Sequence, residues 1–156
     1  DENLYTGKLP DNWGLGDPWT AGVSVSVVNT SMLEQLAKSS SEIIPKYIKG
    51  GRAIDTSGIL CYDCRSSKYY YDFDGLIRSL GSETSEYEAW KAAYDAAVVY
   101  WKTTPNNYSS YGGSFSMNGS AGLSTYILRG NDVKQDAYYR QSVEWYSAAG
   151  WADVYW

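Results

Sequence analysis

The sequence has 156 residues, 44% of them apolar and only 20% charged, with a formal net charge of −5. That size fits one domain, or one domain with a short arm, and that balance belongs to a globular rather than a disordered chain. An acidic chain without a basic run argues against a nucleic-acid partner, and no apolar stretch approaches the length of a membrane span.

Asp1 to Ala21 reads as an extended, turn-rich arm punctuated by Pro10, Gly14, Gly16 and Pro18, with Trp13 and Trp19 as its anchors. Its polar start is not a signal peptide, so an exported parent has lost its targeting segment or carries it upstream. Val23–Val28 alternates Val and Ser, which predicts a strand with Val23, Val25 and Val27 on one face. Ser31 and Glu34 form a capping-box pair before an apolar series at helical spacing, Met32, Leu33, Leu36, Ile43, Ile44, Tyr47 and Ile48. Pro45 should kink or end that helix.

Ala53 to Tyr62 fits neither period. Tyr69 to Leu80 reads as a helix with Gly81 as its C-cap, and Ser85 with Glu88 as a second capping box opening a helix through Ala96. The stripe of that helix is Tyr87, Trp90, Tyr94 and Ala97. Val98–Lys102 is β-prone, Pro105-Asn-Asn signals a turn, and Tyr108 to Gly119 reads as a mobile Ser/Gly/Tyr-rich loop. Leu123 to Leu128 is a short buried strand. Asp132 and Gln135 fit a cap for a helix over Ala137 to Ala149, with Tyr138, Ser142, Trp145 and Ala149 on one face. Alternating helices and strands argue for an α/β class, and so few strands call for a larger sheet completed from elsewhere.

There is no histidine. This excludes an imidazole-based dyad or triad within these residues and removes the commonest zinc ligand. Cys61-Tyr-Asp-Cys64 admits three readings: packing cysteines or a local disulfide in an exported protein, a thiol–disulfide exchange pair, and half of a zinc shell. The structural reading is favoured, because the residues around the pair carry no redox signature. Either cysteine as a peptidase nucleophile would need a base from another segment.

Asp72 and Asp74 invite an acid–base or calcium reading. The favoured one is a solvated helix face with Asp72 near the helix start. Tyr69-Tyr-Tyr71 suggests a stacking platform, but consecutive helical residues point apart, so core or interface packing is preferred. The Tyr108–Gly119 loop is read either as a border of a substrate cleft or as a solvated excursion, the latter favoured. Asn29, Asn107 and Asn118 match the N-glycosylation acceptor, a pattern expected by chance in a chain rich in Ser and Asn.

The order of several segments resembles the C-terminal half of clostripain-like (C11) cysteine peptidases. The segments are Ser24–Val28 leading into Leu33-Glu-Gln-Leu-Ala37, then Tyr70-Tyr-Asp72-Phe-Asp-Gly-Leu-Ile77 and Ala96–Tyr100, then Ser120-Ala-Gly-Leu-Ser-Thr-Tyr-Ile127 and Tyr138-Tyr…Trp145…Gly150-Trp151. The resemblance spans Ser24 to the end; Leu128 departs from it, standing where the family often has Pro. It implies a caspase-like α/β/α sandwich of which residues 22–156 are the C-terminal part, with an extension and the 1–21 arm. It also implies a catalytic His and Cys in a preceding N-terminal half, cleavage of protein substrates after Arg or Lys, and an extracytoplasmic location.

On this reading no catalytic, cofactor-binding or metal residue is assigned here, no cofactor is expected, and the chain alone should be inactive. The alternative is an extracellular carbohydrate- or protein-binding module. Aromatic residues make up 16% of the chain, nearly all Tyr and Trp. It would require exposed Trp13, Trp19, Trp90, Trp101, Trp145 and Trp151 in a row.

Overall fold

The computed structural model describes residues 22, 24–48, 54–62, 69–81, 83–109, 113–128 and 133–154. The expected arm, Trp13 and Trp19, and the Asp132 end of the proposed cap lie outside these residues.

β1 (Ser24–Val28) forms where β-branched residues alternate with serine. It pairs antiparallel with β3 (Val98–Thr103), in the register Ser24 to Thr103, Val25 to Lys102, Ser26 to Trp101, Val27 to Tyr100 and Val28 to Val98. Val99 is the extra residue of a bulge. From the paired end of this ribbon, β1 passes through a 3₁₀ turn (Thr30–Met32) into α1 (Leu33–Tyr47). At the same end, α3 (Thr84–Ala97) runs into β3.

The two helices pack through buried Leu36, Ile43, Ile44, Trp90, Tyr94 and Ala97, and the Trp90 indole donates to Ser40 Oγ at 2.9 Å. The expected α3 stripe is thus the buried one, with Tyr87 half-buried. Neither expected capping box forms. Asn29 takes the first, accepting the Ser31 amide at 3.2 Å, because the chain enters through a 3₁₀ turn. At α3, Glu83 occupies the cap position without a side-chain bond, and Glu86 is drawn across to Lys46 and Tyr47 of α1. Pro45 sits in the last turn of α1, where it cannot donate to the Ser41 carbonyl, and the helix ends two residues later.

The expected helix at Tyr69 starts late. Tyr70–Asp72 is a strand, β2, and only Phe73–Ser79 is helical, α2. β2 pairs antiparallel with β6 (Ser124–Tyr126), and residues 60–62 add a short bridge on its other edge, Tyr62 donating its amide to Tyr70 at 2.8 Å. Tyr69 and Tyr71 are buried and Tyr70 is exposed, the period-two pattern of a strand rather than the helical fan expected. Gly81 ends α2 with φ of 69°, as its C-cap reading requires.

Pro105-Asn-Asn is not an isolated turn. Asn106–Ser109 and Gly113–Ser116 pair as the hairpin β4–β5 inside the segment expected to be a loop. The final helix is also two: α4 (Val133–Ser142) and α5 (Glu144–Ala148), broken at extended Val143. Tyr138 therefore points to solvent while Ala149 is buried, and the expected single face is lost.

The core is aromatic. Phe73 meets Trp90 and Trp145 edge-on at 5.1 and 5.7 Å, and Trp151 and Val154 are fully buried. Gly150 closes this packing with φ of 83°, and a Cβ there would stand 2.8 Å from Ser41 Cα of α1. Gly58 has a similar φ of 80° with nothing near its missing side chain. Both positions carry the left-handed penalty of about 1–2 kcal/mol for an L-residue, but only Gly150 adds a clash. Gly150→Ala should therefore lower unfolding stability by at least about 1 kcal/mol more than Gly58→Ala, measured as the shift in denaturant midpoint.

Candidate docking face

Cross-strand partners share a face, so the β1–β3 register sorts the ribbon into two sides. Ser24, Ser26, Trp101 and Thr103 lie on one; Val25, Val27, Tyr100 and Lys102 lie on the other. The serine side is engaged by this chain, although Ser24, Ser26 and Trp101 remain partly open to solvent. Ser26 Oγ donates to the Gly122 carbonyl at 2.5 Å, and Ser24 and Thr103 share a hydroxyl bond at 2.9 Å. Gly122 has φ of 104°, and a Cβ on it would fall 2.8 Å from Trp101 Cβ. Only glycine lets the 117–123 segment approach this closely.

The valine side is left open. Val25 is 46% exposed, Val27 48% and Tyr100 53%. Both faces of β1 are thus exposed, but the serine hydroxyls have partners within this chain while Val25, Val27 and Tyr100 form an apolar face turned to solvent. Contiguous apolar surface of this kind marks an interaction face.

The segment that contacts the serine side is held by a buried carboxylate. Asp72 closes β2 and caps α2, its Oδ1 accepting the Gly75 amide at 2.8 Å. Its Oδ2 accepts the Ala121 amide and the Tyr62 hydroxyl, each at 2.7 Å. Tyr62 also lies 2.8 Å from Ser120 Oγ. Tyr94 of α3 completes the clamp, donating to the Ala121 carbonyl at 2.8 Å and accepting from the Leu123 amide at 3.1 Å. Burial pushes the Asp72 carboxyl above its ordinary value of 3.8 against the pull of its donors, and burial raises the Tyr62 and Tyr94 hydroxyls as well.

Asp74 is also buried, bonded to Tyr87 at 2.7 Å and paired with Arg78. The expected solvated helix face is thus corrected: both aspartates are inside. Asp72 is indeed at the helix start, but neither carboxylate is open for acid–base work, since each is engaged by partners of this chain. Cys61 is half-buried and bridges Tyr71 through the backbone; Cys64 lies outside the described residues. Among the described residues no group of three or more His, Cys, Asp or Glu converges on a metal position. Among the described residues no row of exposed tryptophans forms: Trp90 and Trp151 are buried, Trp145 is half-buried, and Trp101 at 42% exposure packs against Gly122.

Tyr62, Ser120, Ser26 and Gly122 carry this site without having been singled out as functional. Asp72 three residues before Gly75 is a legible capping signal; the distant Tyr62 and Ser120 leave none.

The sequence matches the clostripain family over residues 10–156. Solved structures agree. A Bacteroides fragilis cysteine protease superposes with a TM-score of 0.84 at 44% identity, over 97% of this chain and 62% of that one. A secreted C11 cysteine protease from Bacteroides thetaiotaomicron, bound to an irreversible peptide inhibitor, gives 0.76 at 41% identity, over 90% and 39%. An inactive zymogen C11 protease from Parabacteroides distasonis gives 0.70 at 26%, over 82% and 38%. This chain therefore spans about three fifths of the first relative and two fifths of the others. No curated protein matches it. The expected α/β, caspase-like class stands with these neighbours.

Because the fold disfavours the Asp72 charge, its contribution to stability is complete below pH 3.8 and is lost as pH rises through the raised folded value. Asp72→Asn should flatten that decline. It should also cost about 1–3 kcal/mol, because an amide cannot accept from Gly75, Tyr62 and Ala121 together. Urea unfolding of both proteins across mildly acidic pH measures both effects.

Proposed function

This chain belongs to the clostripain family, and we propose that within it the chain is the C-terminal, non-catalytic portion of a secreted cysteine endopeptidase that cleaves after Arg or Lys. Residues 22–156 form the supporting region and residues 1–21 an extended arm. The nucleophilic cysteine and its histidine base are carried by the N-terminal half of the same precursor, which seats on the valine side of the β1–β3 ribbon. Thiol–imidazole hydrolysis uses no cofactor.

The observation that carries this reading is the apolar face of the β1–β3 ribbon. A two-stranded ribbon is marginal alone, and this one offers Val25, Val27 and Tyr100 to water. The solved relatives are longer than this chain, which leaves length in a related protein for such a covering layer. The absence of histidine from the sequence makes a second segment necessary for any cysteine-protease chemistry. One relative is described as secreted, and no helix among the described residues is long and apolar enough to cross a membrane. The description of that relative supports an extracytoplasmic location. The Arg/Lys preference and the protein substrate follow from the family resemblance.

A clean preparation of this chain should release no product from Arg- or Lys-containing peptides, whereas the complete protein should. Mutating Val25→Asp and Val27→Asp should weaken association of the two halves roughly 100-fold, since each buried valine contributes about 1.5–3 kcal/mol. Tyr138→Asp, on exposed α4, should leave it unchanged. Titration calorimetry of the separately produced halves reads the difference; unaltered affinity of the double variant would sink the docking face.

A further inference from the structure

Three separate segments meet at one hydroxyl. Tyr62 comes from the 54–62 segment, Asp72 from the β2–α2 junction and Ser120 from the 117–123 segment. The Tyr62 oxygen lies 2.7 Å from Asp72 Oδ2 and 2.8 Å from Ser120 Oγ, and either oxygen of the Tyr62–Ser120 pair can donate. With Asp72 ionised, Ser120 donates to Tyr62 and Tyr62 donates to Asp72. Adding a proton to Oδ2 would place two hydrogens between Asp72 and Tyr62 unless Tyr62 turned its own toward Ser120. Hydroxyl hydrogens turn without moving heavy atoms.

We infer that Ser120, Tyr62 and Asp72 form a hydrogen-bond chain that reverses direction when Asp72 gains or loses a proton, and so keeps the 117–123 segment seated on the β1–β3 ribbon on both sides of that ionisation. The other titratable and charged groups facing Asp72 are already committed. Asp74 on α2 is held by Arg78 and Tyr87, and Tyr94 on α3 spends its hydroxyl on Ala121 and Leu123. The 117–123 segment brings no titratable side chain of its own. The bonds from Ser26 to Gly122 and from the Phe73 amide to the Leu123 carbonyl, at 2.9 Å, do not depend on the Asp72 proton. Burial raises the Asp72 ionisation above the ordinary carboxylate value of 3.8.

Variants of Tyr62 and Ser120 make different predictions. Tyr62→Phe removes a donor to the charged carboxylate and should raise the Asp72 titration midpoint by about half a unit or more. Ser120→Ala removes a donor to Tyr62 when Asp72 is ionised and the acceptor of the Tyr62 hydrogen when Asp72 is protonated, so its two losses oppose and the midpoint should move clearly less. Carbon-13 NMR titration of the Asp72 carboxyl in the complete protein measures both. A midpoint raised as far in Ser120→Ala as in Tyr62→Phe would overturn the reversal, because Ser120 would then be a fixed donor. Should either variant fail to fold, hydrogen exchange of the 117–123 amides in the unmodified protein decides. Protection that holds through the Asp72 titration, after correction for intrinsic rates, supports the inference, and protection lost on protonation contradicts it.

Discussion

The apolar side of β1 is left open to water, and that single fact governs how the rest of the structure is used. A strand that alternates Ser and Val normally buries the valines, because each aliphatic group removed from water contributes more than a hydroxyl loses when it finds a partner. Here the hydroxyls have their partners in Gly122 and Thr103, and the valines have water. A ribbon exposed on both faces gains nothing from valine on one of them while it stands alone. The arrangement makes sense for a layer with a second layer on its open side, which is how an α/β sandwich buries both faces of its sheet.

The segment that engages the serine side is anchored by a buried acid rather than a hydrophobic plug. Asp72 ends a strand, starts a helix and anchors a loop at once, through one carboxylate. Its burial is costly, and the three donors around it offset that cost. Gly122 then sets how closely the anchored segment approaches Trp101. The aromatic core beneath, built on Phe73, Trp90 and Trp145, fixes α2 and α3 and hence the positions of Asp72 and Tyr94.

The elements most legible in the sequence were those with long, unbroken periods. The α3 stripe and the β1 alternation are found where the spacing puts them. The misreadings cluster at short elements. Tyr69–Asp72 carries aromatic residues that suit either state, and only the Asp72 cap, which stops the strand by starting the helix, separates them. The β4–β5 hairpin is hidden by its serines and glycines, which are loop-like in composition although they pair in register. Val143 breaks the last helix without a Gly or Pro to announce it. The Asp72 cluster was half legible: the carboxylate was noticed, but its burial depends on Tyr62 and Ser120, 58 residues apart along the chain, and no local pattern encodes that meeting. The open valine face could not be read at all from a strand whose alternation is the same whichever side is buried.

The most direct test compares amide hydrogen exchange along β1 and β3 in the complete protein with that in this chain alone. Covering of the valine side predicts that Val25–Val28 and Val98–Lys102 exchange with the slow core of the complete protein and at least about tenfold faster in the isolated chain. Equal protection of the ribbon in both would mean that nothing rests on that face, and the supporting role assigned to this chain would fall with it.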